Sequence, residues 1–416
     1  GVTTAGAFDA ASGNTVQIAD FSDFSEPGRY RLIINGVSSV PFVIAEDIYT
    51  TLSHDALRYF YLNRSGMPLE AQYAGESWAR AAGHITDDNV TCFDGTDADG
   101  ITWDGCDYTL DVRGGWYDAG DFGKYVVNGG IAVWTLLNLY ERFPERFDDS
   151  MLNIPESGND TPDLLDEARW QMNFLLAMQV PEGQPLAGMV HHKMHDIRWE
   201  PMPMMPPTEV ENDNEHQSRA ATLNMAATAA QCARIWMEID TPFAERCLNA
   251  ARTAWDAANA NPIMLAGNTP GEGGGNYPDD NVTDEFFWAA AELYITTGEA
   301  QYADYLQASP QLDMPVDGMY WGETAALGKI SLASTVNDFP QRDALREQIV
   351  IAATQLADVI DQEGYRVPMT VYDWGSNSTV LNNAILLAYA YDFTGDSRYL
   401  NGVLSTMDYI LGTNSL

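Results

Sequence analysis

Gly114-Gly115-Trp116-Tyr117-Asp118-Ala119-Gly120-Asp121-Phe122-Gly123-Lys124-Tyr125 sets two carboxylates three residues apart among glycines and aromatic rings. Glycine lets backbone approach a ligand closely or adopt positive φ. Aromatic faces are flat apolar platforms, and carboxylates accept hydrogen bonds from water and hydroxyls. The combination suits a polyhydroxylated ring and a water molecule that must be activated. The plainer reading is a glycine-rich turn whose aspartates cap a helix starting near Tyr125. Asp-x-x-Asp pairs do recur by chance, but this stretch is far longer than a cap requires.

Outward from it, other segments follow in order: Pro162-Asp163-Leu164-Leu165-Asp166-Glu167-Ala168-Arg169-Trp170, then Asp284-Glu285-Phe286-Phe287-Trp288-Ala289-Ala290-Ala291-Glu292-Leu293-Tyr294. Trp374-Gly375-Ser376-Asn377 and Asp408-Tyr409-Ile410-Leu411-Gly412-Thr413-Asn414 complete the set. Together with residues 115–125 they resemble the signature segments of glycoside hydrolase family 9, the inverting cellulases. The resemblance implies a mainly α chain: an (α/α)6 barrel catalytic domain preceded by part of an immunoglobulin-like β-sandwich. It also implies hydrolysis of β-1,4-glucosidic bonds in cellulose or related β-glucans, with Asp121 as base and Asp118 as its partner. Trp116, Tyr117, His192, Trp199, Tyr372 and Trp374 are the expected contacts to a β-glucan oligosaccharide or polysaccharide.

Composition narrows the classes. Hydrophobic residues make up 45% of 416, enough for a substantial core and against disorder. Sixty acidic against 21 basic residues give a net charge of −39, which repels phosphate backbones and anionic lipid, so neither nucleic acid nor membrane is an expected partner. No apolar run is long enough to span a bilayer. The N-terminus lacks a basic and apolar leader pattern, so any signal peptide is expected outside this sequence. Cys92 with Cys106 and Cys232 with Cys247 are each compatible with a disulfide in an oxidising compartment, and a secreted or periplasmic setting is expected.

Along the chain, residues 1–46 read as β. Thr15–Asp20 alternates, and Tyr30–Ile34 and Val40–Ile44 flank an Asn35-Gly36 turn, a strong hairpin signal. This is too short for a whole sandwich of about 100 residues, and it resembles the last strands of the module that precedes many family 9 catalytic domains. Residues 47–416 form the expected barrel domain. Periodicity predicts helices over 47–64, 125–143, 161–179, 217–239, 242–260, 283–297, 300–307, 321–333, 341–363, 376–393 and 398–411. Thr161-Pro162 and Thr283 are expected to open helices, and Gly298 and Gly395 to close them. Six helical hairpins need a twelfth helix, which is expected beyond Leu416.

Two stretches between helices invite ligand readings. Met189–Asn214 carries His191, His192, His195, Trp199, Met202, Met204 and Met205 among prolines. A metal would need the histidines aligned on a helix, which the prolines oppose; a saccharide-facing loop is the better reading. Gly271–Asp280 is glycine-rich and runs into Asp279, Asp280, Asp284 and Glu285. Acids suit a helix N-terminus, but the family resemblance implies a structural calcium here, with Asp280, Asn281, Asp284, Glu285 and Glu323 as ligands. No zinc is expected: Ser65 and Lys124 stand where the family's Cys and His ligands would fall, leaving only Cys92 and His84.

Inversion needs a base on one face of the sugar and an acid on the other, ~6.5–9.5 Å apart. Asp118 and Asp121 are too close in sequence for those opposed roles, and suit joint capture of one water. The family's acid is a glutamate downstream of the Leu-Gly-Thr-Asn segment, and it is expected in a segment after Leu416; Glu292, Glu323 and Glu363 lack the matching context. Trp374 is expected to stack on a sugar, while Tyr372 and Asp373 suit either hydroxyl binding or packing. Ser378 falls where many cellulases carry arginine. The endo-acting hydrolase therefore stands beside two alternatives: an exo-acting β-glucosidase or β-glucosaminidase of the same family, or a non-catalytic saccharide-binding fragment.

Overall fold

The computed structural model describes residues 2–96, 100, 102–196, 199, 212–214, 217–262, 265 and 273–413. Contacts divide the chain into one unit of residues 1–59 with 353–416 and a second of residues 60–352.

In the first unit the amino-terminal region consists of short antiparallel pairs. Val2–Thr3 pairs with Ala19–Asp20, and Ala7–Phe8 with Thr15–Val16. The predicted Thr15–Asp20 strand is thus broken in two, each half with its own partner. The Asn35-Gly36 turn closes Ile33–Ile34 against Val37–Ser38, with φ of 50° and 83°, the left-handed pair a two-residue hairpin turn demands. Gly28–Tyr30 pairs with Phe42–Ile44, and Tyr30, Phe42, Phe21 and Phe24 form its aromatic cluster.

Helices dominate the rest. In chain order they are α1 Thr50–Leu62, α2 Ala71–Ala74, α3 Val126–Arg142, α4 Asp163–Ala177, α5 Arg219–Trp236 and α6 Thr241–Ala260. They continue as α7 Thr283–Thr297, α8 Ala300–Ala308, α9 Ala325–Ser334, α10 Arg342–Gln362, α11 Ser376–Thr394 and α12 Ser397–Asp408. Each predicted helix has a counterpart whose ends differ by no more than a few residues, and among the α-helices only the single turn α2 was not foreseen. Gly298 and Gly395 end α7 and α11 in left-handed conformation as expected. Thr283 and Thr161 do not cap. Val282 and Pro162 hold those positions without a side-chain bond, while Asp240 and Asp396 cap α6 and α12.

The second unit is organised on α5, against which α3, α4, α6 and α7 pack. Its Ala220, Ala221, Ala226, Ala227, Ala229, Ala230 and Ala233 are fully buried, small enough for helices on several sides. Gly130 of α3 shows how close they come: a Cβ there would lie 1.5 Å from Asn224 Oδ1 of α5. In the first unit α11 packs on α12, and Gly402 sits against Leu387 and Ile360.

Candidate active site

The Asp118–Asp121 turn is anchored at both flanks within the second unit. Before it, Ser65 N–H donates to Gly115 O (2.8 Å) and Tyr117 N–H to Asn63 O (2.9 Å). Arg64, wholly buried, pairs with Glu167 (2.8 Å) and Glu156 (2.9 Å), and Trp116 Nε1 donates to Glu167 (3.2 Å). After it, Lys124–Tyr125 pairs with Lys193–Met194 in a strand, and Val126 N–H donates to His192 O. The Lys124 ammonium is buried with all three hydrogens used: Asp87 Oδ2 at 2.7 Å, Val112 O at 2.7 Å and Gly114 O at 3.1 Å. A buried ammonium is tolerated only when so paired.

Within the turn, Asp118 N–H donates to Gly123 O, and Phe122 takes φ of 58° to close it. Each carboxylate then receives a donor on each oxygen. Asp118 accepts from Asn128 Nδ2 (2.9 Å) and Tyr277 Oη (2.8 Å). Asp121 accepts from Gly123 N–H (3.0 Å) and Tyr125 Oη (2.7 Å). An ionised carboxylate has about four lone-pair sites, so each retains capacity for a further hydrogen bond. Burial raises the Asp118 carboxyl above its ordinary value, its two hydrogen bonds oppose the rise, and the charge of Asp121 adds to it. Neither aspartate caps α3, whose N-cap residue Tyr125 has no side-chain cap bond.

The predicted contact residues divide. Trp116 and Tyr117 are buried: Trp116 packs on Phe60 (4.6 Å between centroids), and Tyr117 Oη meets His84 Nδ1 at 2.7 Å. Both were expected as substrate contacts, and here their side chains pack inside the unit, against Phe60 and His84. His192 is buried too, its ring facing Asn276 O (3.1 Å), between the short strands Val190–His191 and Lys193–Asp196 where a loop was expected. Trp199 is exposed, and Met202, Met204 and Met205 lie outside the described residues. Tyr372 and Trp374 belong to the other unit, where Trp374 is 97% exposed. Glu292 is spoken for by Trp134, Ser331 and Arg234 in the core, so it cannot donate a proton to a substrate.

Sequence reading missed Asn128, Gly275 and Tyr277. Their one available signal was the glycine-rich run, since Gly274 and Gly275 bring backbone against Tyr125.

That run leads into a cavity of about 540 Å³ lined in part by Asp279, Asp284, Trp321 and Glu323. Asp279 Oδ2, Asp284 Oδ1 and both oxygens of Glu285 are buried without a hydrogen-bond donor. Burial and the neighbouring carboxylates push the Glu285 carboxyl well up, and Asp279 and Glu323 rise for the same reasons. Among the described residues no three such groups converge as a finished metal shell. The orphaned acceptors nonetheless have the chemistry of a hard-cation site, because hydrogen bonds elsewhere leave them unused. The set differs from expectation: Asp280 and Asn281 are exposed, and Asn281 Oδ1 is taken by Thr283, whereas Asp279 belongs to the cluster. His84, a residual zinc candidate, is engaged by Tyr117 and Asp196, and Cys92 is bonded to Cys106. Cys232 and Cys247 remain thiols with Sγ atoms 3.0 Å apart.

The family model described as glycosyl hydrolase family 9 matches residues 49–416, and that of the cellulase N-terminal ig-like domain matches residues 1–39. The chain belongs to glycosyl hydrolase family 9. Endoglucanase C of Cellulomonas fimi is 46% identical across 98% of this chain and 39% of its own length. A cellulose 1,4-beta-cellobiosidase of Acetivibrio thermocellus is 45% identical across 98% of the chain and 51% of its own. The chain thus spans about half or less of those relatives. Among solved structures, a GH family 9 endoglucanase superposes with a TM-score of 0.90 at 30% identity, over all of this chain and 76% of that one. A Bacteroides ovatus GH9 structure gives 0.87 at 33% identity, over 99% and 76%. This family 9 chain is accordingly mainly α, an (α/α)6 barrel preceded by immunoglobulin-like β-strands.

Proposed function

We propose that the protein hydrolyses β-1,4-glucosidic bonds of cellulose or a related β-glucan with inversion, using Asp121 as general base and Asp118 as its partner in holding the attacking water. The observation that carries this is the pair of carboxylates, each pinned at both oxygens and each with lone pairs to spare, in a family 9 chain. A water held by two fixed acceptors is oriented for attack and loses its proton readily. The endoglucanase and cellobiosidase names of the relatives support the substrate class. The Cys92–Cys106 disulfide supports a secreted or periplasmic setting.

The reading includes a structural Ca2+ bound by Asp279, Asp284 and Glu285, with Glu323 nearby. It would neutralise a buried acidic cluster beside the loop that carries Tyr277. In the full chain, Asp121→Asn should lower kcat on a soluble β-1,4-glucan by ~10²–10⁴-fold with KM little changed, the usual worth of a positioned base. Near-wild-type kcat in a folded Asp121→Asn protein would sink the assignment.

A further inference from the structure

Asp121 has two internal donors of different kinds. Gly123 N–H comes from the turn itself, two residues further along the same loop, whereas the Tyr125 phenol is held by the rest of the fold. The ring is 1% exposed, its backbone is registered against Lys193 in a strand, and Tyr277 packs edge-on at 4.7 Å. The phenolic oxygen accepts Gly275 N–H at 2.8 Å while lying 2.7 Å from Asp121 Oδ2. A phenol has one hydrogen. With Gly275 N–H donating to the oxygen, that hydrogen is directed at Asp121. Burial, and then the charge of Asp121, push the phenol above its ordinary value, so it stays a donor.

Gly274 makes this contact feasible. A Cβ there would lie 2.6 Å from Tyr125 Oη and 2.8 Å from His195 Cγ. The terminal torsion of an aspartate is soft, so a carboxylate held at one oxygen can swing. Donors on both oxygens stop it. We propose that Tyr125 is a positioning residue for Asp121, its phenol aimed by the Gly275 amide so that the carboxylate is fixed in rotation for the proton transfer. This rests on Asp121 being the base, as proposed above.

The test is a double-mutant cycle in the full chain: wild type, Tyr125→Phe, Asp121→Asn and the double variant, each assayed on a soluble β-1,4-glucan and checked for folding by circular dichroism. Tyr125→Phe should lower kcat by ~10-fold or more, the effect of losing a hydrogen bond to a charged group, with KM within about twofold. On the Asp121→Asn background it should cost nothing further, since its effect passes through that carboxylate. Gly274→Ala, which crowds the phenol without removing it, should likewise lower kcat while sparing KM. Wild-type kcat in Tyr125→Phe beside an impaired Asp121→Asn overturns this proposal alone, as does an equal loss on both backgrounds. Wild-type kcat in Asp121→Asn overturns the base assignment, and this proposal with it.

Discussion

Tyr277 donates its phenolic hydrogen to Asp118 Oδ2 at 2.8 Å across 159 positions of sequence, tying the glycine-rich run to the aspartate turn. That bond stabilises the ionised carboxylate but does not offset its burial, and the Asp118 carboxyl remains raised. A group raised in the folded state contributes stability in full below its unfolded value, and loses it as pH rises through the folded one. Replacing Asp118 with Asn removes that loss. The melting temperature of Asp118→Asn relative to wild type should therefore be more favourable at pH 7.5 than at pH 3.5, with lower activity throughout. A difference independent of pH would show that ionisation of Asp118 carries no folding penalty.

Lys124 and Asp87 are both wholly buried, and their ion pair is 2.7 Å long. Removing one partner leaves the other charge uncompensated, which costs ~3–5 kcal/mol. Lys124→Met should lower unfolding free energy by about that amount in urea titrations. Lys124→Met combined with Asp87→Leu should recover much of the loss. Additive losses, with the double variant less stable than Lys124→Met by the full cost of Asp87→Leu alone, would argue that the pair is not coupled.

The acidic cluster predicts a response to metal. A ligand bound only to the folded state stabilises by mass action, so added Ca2+ should raise the melting temperature and excess chelator lower it. Glu285→Gln, which removes one of the orphaned carboxylates, should weaken that response. An unchanged melting temperature across both additions, in protein first stripped of metal, would remove calcium from the site.

In a helix interior, glycine to alanine ordinarily gains up to ~1 kcal/mol. At Gly130 the sign should reverse, because the new methyl would meet Asn224 Oδ1 at 1.5 Å. Overpacking costs ~1–3 kcal/mol. Chemical denaturation of Gly130→Ala gives the sign directly; a stabilised variant would mean that α3 and α5 can separate at little cost.

The helices were legible because elements such as α6 bury apolar residues at helical spacing, and because Gly298 and Gly395 have local reasons to stop a helix. The hairpin at Asn35-Gly36 was equally local. Capping failed where short polar residues had rival uses: Thr283 gives both its N–H and its hydroxyl to Asn281 Oδ1 instead. In the site, the carboxylate pair stood out from its turn chemistry. Its remote donors did not, since the bond from Gly275 to Tyr125 crosses 150 positions and exists only once the chain has folded. Trp116 and Tyr117 are ambiguous in sequence for a related reason. Aromatic residues beside acids suit a sugar or a core alike, and here the Arg64–Glu167 pair and His84 draw both rings inward.

The carboxylate turn and the Gly274–Tyr277 run supply complementary halves of one acceptor–donor set. The first brings Asp118, Asp121, Tyr125 and, just inside α3, Asn128; the second brings the Gly275 amide and the Tyr277 hydroxyl. For loop grafting and recombination, they are therefore one inheritable cassette. A chimera that takes residues 114–128 from this chain and 273–277 from a relative would draw the two halves of this set from different parents. Crossover points placed so that both segments come from the same parent should yield the active recombinants.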